Sequence, residues 1–112
     1  MNDFITYLDG KIEEGKEQIA KLEADGRMDD ANFAKVRTNI YDVCKTVSQA
    51  LMNRPGAGVI AVKAQFDRFN TGWSAALEKA KQHDDIKNVA VEEIKLAALK
   101  DVMARFTEVA KE

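Results

Sequence analysis

From the second residue onward, apolar side chains return every three or four positions: Ile5, Leu8, Ile12, Ile19 and Leu22, with Gly15 in the same row. That spacing is one face of an α-helix held over three heptads, while Lys11, Glu14, Glu17 and Lys21 form a solvated opposite face. The rhythm resumes with Phe33, Val36, Ile40, Val43, Val47 and Ala50. It returns with Val59, Val62, Phe66, Phe69, Trp73, Ala76 and Ala80, and once more from Val91 to Val109. Four long helices are predicted, near 2–25, 29–53, 57–82 and 86–111.

The segments between these rows carry breaking and capping chemistry. In "LEADGRMDDANF", Gly26 can take the left-handed conformation just past a helix end. Asp29 is expected as the next N-cap, with Met28 and Phe33 forming a hydrophobic staple and Asp30 in the first turn. Pro55 disfavours helix in the residue before it, so the second helix stops near Arg54. Asp84 or Asp85 in "QHDDI" is expected to cap the last helix. Gly72 in "FNTGWS" is a weak spot, but the row keeps its phase from Phe69 through Trp73 to Ala76, which favours one continuous helix.

The stretch "NRPGAGVIAVKAQF" has the look of a phosphate cradle. It has only two glycines, no Gly-Lys-Ser/Thr and no strand before it, so both phosphate-loop patterns fail. It is a helix–helix connector, with Pro55 near a first-turn position. Short connectors favour sequential antiparallel neighbours. The predicted architecture is therefore all-α, an antiparallel four-helix bundle of up-down topology, with residues 1–112 as one domain. Its expected core holds Ile12, Ile19, Val36, Ile40, Val47, Phe66, Phe69, Trp73, Ile94 and Val102.

The last helix has more apolar surface than one core needs. One row runs Val91, Ile94, Ala98, Val102, Phe106, Val109; a second runs Leu96, Leu99, Met103, Phe106, Ala110. Together they cover an arc of roughly 200°. Either the helix is wedged deeply among its neighbours, or it offers a second contact, a homodimer seam or partner groove. Leu96, Leu99 and Met103 are the expected partner-binding residues there. Leu51, Met52 and Ile60 form a second candidate surface at the bundle end beside the connector.

Composition narrows the function. A chain of 112 residues with 46% hydrophobic and 32% charged residues is an ordinary globular domain. The longest near-continuous apolar stretch, Ala57 to Val62, is far too short to span a bilayer, so no membrane association is expected. No secretory signal is visible, and a single cysteine fits a reducing compartment, so a cytoplasmic location is expected. The first and last quarters of the chain are acidic and the two middle quarters basic, which should draw helices one and two, and three and four, together along their flanks. No segment gathers the basic excess that nucleic acid binding requires.

Candidate chemistry is sparse. Di-metal bundles need Glu-x-x-His pairs, and the single histidine, His83, has Ala80 three residues before it. Cys44 and His83 lie on different predicted elements without ligand spacing, so no metal or cofactor is expected. Cys44 flanks the second helix's row as a small core thiol, not a nucleophile. The acid pairs Glu13–Glu14, Asp29–Asp30 and Glu92–Glu93 are adjacent in sequence and diverge instead of converging on a substrate. Phe66, Phe69 and Trp73 share a row with aliphatic residues, which marks a core more than a stacking platform. Tyr7 and Tyr41 fall off their rows and are expected to be partly exposed. The sequence points to a non-catalytic interaction protein, a small adaptor or regulatory subunit that self-associates through its last helix. The alternative is a bundle holding a small hydrophobic ligand between its helices, with Gly15 and Gly72 leaving room.

Overall fold

A computed structural model describes residues 2–54 and 58–110. It contains four helices, α1 (Asn2–Ala24), α2 (Met28–Met52), α3 (Gly58–Gln82) and α4 (Ile86–Ala110), in up-down order. The all-α bundle is as predicted, and every helix boundary lies within about one residue of the sequence reading. Gly72 interrupts nothing: α3 runs through it unbroken. The part assigned to Pro55 and Gly56 in the connector lies outside the described residues.

Two turns close by the same device. At the end of α1, Arg27 N–H donates to the Leu22 carbonyl and Gly26 N–H to that of Glu23, with Gly26 at φ 74°. At the end of α3, Asp85 N–H reaches Ala80 and Asp84 N–H reaches Lys81, with Asp84 at φ 52°. Both are left-handed terminations that satisfy otherwise orphaned carbonyls. Asp85 then caps α4, its carboxylate accepting from Asn88 N–H at 3.3 Å. The first interhelical turn corrects the expected cap. Arg27, not Asp29, is the N-cap residue of α2, and Met28 is the first helical position, which removes the staple. Asp30 is held by the Arg27 guanidinium at 2.6 Å instead.

Helix α1 packs most extensively on α2, and α3 on α4; the two hairpins join mainly through α2 and α4. Among the described residues α1 and α3 have no close backbone contact, and the molecule is flattened, 45 × 35 × 20 Å. The α1–α2 seam is close because it is lined with small groups. Gly15 lies directly against the buried Thr38, whose hydroxyl is fixed by donating to the Ala34 carbonyl at 2.8 Å. The buried face of α2 is consequently Ala31, Ala34, Thr38, Tyr41, Cys44 and Ser48, joined at its margin by Ile40. The expected row of Val36, Val43 and Val47 is turned to the flank and only half-buried. Bulky β-branched side chains would hold the two backbones apart. The flank charges behave as expected on this side alone. Lys45 meets Asp9 at 2.5 Å and Lys35 meets Glu23 at 3.4 Å, whereas no ion pair joins α3 to α4 among the described residues.

The core fills one end of the bundle. Phe4, Phe66 and Phe106 meet with ring centroids 5.2 to 6.3 Å apart, packed among Leu8, Val62, Leu99 and Val102. Of the ten expected core residues, Ile12, Ile40, Phe66 and Val102 are buried. Ile19, Val36, Val47, Phe69, Trp73 and Ile94 are half-buried.

The seam makes a specific demand of Gly15. A Cβ there would collide with Thr38 Oγ1 and Cγ2, whereas Gly10 and Gly72 face open space. Gly15→Ala should destabilise the chain by about 1–3 kcal/mol through overpacking, against its better helix propensity. Gly10→Ala and Gly72→Ala should each stabilise it by up to about 1 kcal/mol. Denaturant unfolding of the three variants checks the opposite signs.

Candidate interaction surface

At the end of the bundle away from the phenylalanine cluster, the buried hydrophobic residues are alanines: Ala31 and Ala34 on α2 and Ala80 on α3. The large inward-row residues at this end, Leu22, Phe33, Trp73 and Ile94, remain half-buried. A groove of about 380 Å³ results, with α1 supplying Leu22, α2 supplying Phe33 and α4 supplying Ile94; Arg27, Asp30 and Arg37 stand at its margin. Its cause lies in the sequence. The helices pair closely through small residues, yet the large side chains at this end cannot all converge.

On the other side of α4, Trp73 stacks parallel to Phe69 with centroids 4.9 Å apart. The Lys95 ammonium covers the indole at 5.2 Å and pairs with Glu92 at 3.2 Å. The rings are occupied by each other and by Lys95, a favourable cation–π arrangement that closes the α3–α4 seam.

The residues expected to bind a partner are scattered. Leu99 is only 1% exposed and belongs to the core, so it is withdrawn from any surface, a correction to its expected role. The cause is that α4 is wedged: Ala98, Leu99, Val102 and Phe106, drawn from both of its rows, are all buried. Met103, Leu51 and Met52 are half-buried and packed against the core. Leu96 is half-buried on the outer side of α4, and Ile60 is 83% exposed. Leu96 and Met103 lie nearly two turns apart on the same side of α4; Leu51, Met52 and Ile60 lie at the connector end. Met103, Leu51 and Met52 border the same core cluster, while Leu96 and Ile60 are not part of it. The groove residues Leu22 and Phe33 were missed as a site because each belongs to the row of its own helix. Only their coincidence at one end of the bundle distinguishes them.

Neither glycine opens an apolar ligand space between the helices: Thr38 fills the position beside Gly15, and Gly72 faces outward. His83 is exposed in the α3–α4 turn, while Cys44 is buried in the core. Among the described residues no three of His, Cys, Asp and Glu gather as metal ligands. No described helix is long and apolar enough to cross a membrane. Tyr41 is a correction of the same kind as Leu99: expected to be partly exposed, it is only 5% exposed. No protein-family model, curated protein or solved structure matches the chain.

Burial pushes the Cys44 thiol up from 9.0 to about 12, and burial also lifts the Tyr41 phenol from 10.0 to about 12. Both groups hold their protons more tightly in the folded chain than in the unfolded one. Stability should therefore fall as pH rises through 9 towards 12. Cys44→Ala should make that fall shallower, which denaturation midpoints measured across this range will show. At neutral pH a polar alkylating reagent should modify Cys44 only on unfolding, and rapid labelling of the native chain would contradict the burial.

Proposed function

We propose that this chain is a non-catalytic helical interaction protein of the cytoplasm, a small adaptor or regulatory subunit that self-associates with its last helix in the contact. The observation that carries this reading is the open end of the bundle. There Leu22, Phe33 and Ile94, large apolar side chains from three helices, line one groove and are only half-buried. The total exposed surface points the same way. It is 7087 Å², against roughly 6,200 Å² for a compact monomer of this mass. Apolar surface of this kind is the usual material of a protein contact. Ile94 in the groove lining supports a contact that includes α4, and the half-buried Leu96 adds apolar surface to that helix.

The alternative, storage of a small hydrophobic molecule between the helices, drew its support from space at Gly15 and Gly72. With Thr38 against one glycine and solvent against the other, that support is gone, and the interaction reading is preferred.

Light scattering over a concentration series tests the proposal. The chain should grow in mass towards a dimer as concentration rises, and Ile94→Glu and Phe33→Glu should each hold it as a folded monomer. Leu96→Glu separates the two sides of α4: if it alone abolishes association, the outer side and not the groove is the seam. A chain that stays monomeric at the highest attainable concentration would overturn self-association.

A further inference from the structure

Beside the apolar groove lies a second opening of different character. It has a volume of about 250 Å³ between α1, α2 and α4, where α1 and α4 pack much less closely than α1 and α2. Gly15 and Thr38 lie along its inner side, and Tyr41 lines it. Tyr41 is 5% exposed, and among the described residues its hydroxyl makes no hydrogen bond. Tyr41 is not among the buried polar groups left without a partner, of which Ser48 Oγ is the one found among those residues, and it lines this opening. A phenol held almost wholly inside the protein, its hydroxyl unpaired at the head of a polar opening, offers a donor and an acceptor to an occupant.

The charges around it are balanced. Lys11 and Glu14 are partners at 3.8 Å on the rim. Two further charges line the pocket. Arg37 on α2 is bonded to the Gln18 amide oxygen, and among the described residues no carboxylate pairs with it. Asp101 on α4 likewise has no cationic partner among those residues. Arg37, Asp101 and Tyr41 all line this one opening, so a small occupant would meet both charges and the phenol. A simple anion would meet Asp101 and Glu14, and a simple cation would meet Arg37 and Lys11. A molecule carrying both charges satisfies both sides at once. The volume lies just under the roughly 300–1,000 Å³ of ordinary ligand pockets, so the occupant is small.

We propose that this pocket binds a small ammonium–carboxylate zwitterion, a free α-amino acid with an uncharged side chain. Arg37 holds the carboxylate through its planar fork, Asp101 receives the ammonium, and the Tyr41 hydroxyl donates to the carboxylate. The site is independent of self-association, and a chain that remained monomeric would still bind.

Amide NMR titration of the full chain tests this with L-alanine, L-serine and L-leucine as probes, and with propionate and isopropylamine as single-charge controls. At least one amino acid should give saturable shifts at Gly15, Thr38 and Tyr41, with both controls at least about tenfold weaker. Arg37→Gln, Asp101→Asn and Tyr41→Phe should each weaken that binding by about tenfold or more. Arg37 and Asp101 are exposed, so their variants keep the fold, which circular dichroism verifies. Absence of saturable shifts from all three amino acids up to about 10 mM, ten times a 1 mM Kd, overturns the proposal. So does binding that survives both Arg37→Gln and Asp101→Asn, or binding matched by propionate.

Discussion

The contact of Gly15 on α1 with Thr38 on α2 sets the terms for the rest of the molecule. A helix pair can approach this closely only where one partner lacks a side chain and the other presents small ones. Thr38 is stiff at χ1 and tied by its hydroxyl to the Ala34 carbonyl, so it has little freedom to move aside. The row Ala31, Ala34, Thr38, Cys44 and Ser48 is the rest of the same seam. One member is imperfect. The Ser48 hydroxyl is buried without a partner among the described residues, a cost that goes with placing a small residue at this position.

A close seam displaces volume elsewhere. The valines of α2 turn to the flank, and the large side chains that complete the core come from three helices at one end, where Phe4, Phe66 and Phe106 interlock. Phe106 of α4 packs edge-on against both Phe4 and Phe66, so α1 and α3 meet through rings and not through backbones. At the other end alanines close the helix pairs, while Leu22, Phe33 and Ile94 stay partly wet. The same arrangement leaves α1 and α4 loosely apposed, which is why a polar opening sits between them beside Tyr41. An apolar groove and a charged pocket are thus two consequences of one asymmetry.

Helix number, extent and order were legible in the sequence because three-four spacing and the Gly26 and Asp85 turns are local signals. The buried faces were less so. Ile5 and Phe4 both fit a row ending in Leu8, and only packing chose Phe4. In α2 the most hydrophobic row was not the buried one, because the neighbour at Gly15 rewards small size over apolar character. Leu99 and Tyr41 were both placed outside for the same reason: a wedged helix and a close seam bury residues that lie off the strongest row. The candidate surfaces were only partly visible. Leu96 and Met103 were flagged by the breadth of the apolar arc on α4, but the groove and the Tyr41 pocket join residues from three helices, and no pattern along one chain reveals such a meeting.

The central claim is that the bundle is firmly closed at the phenylalanine end and weakly closed at the other. Native-state hydrogen exchange measures it residue by residue, since local openings expose weakly packed segments before global unfolding. Amides near Val62 to Phe66 and Ala98 to Phe106 should exchange only through global unfolding. Those near Trp73 to Ala80 and Val89 to Ile94 should open at least about 2 kcal/mol more easily. Equal protection along the full length of α3 and α4 would contradict the account.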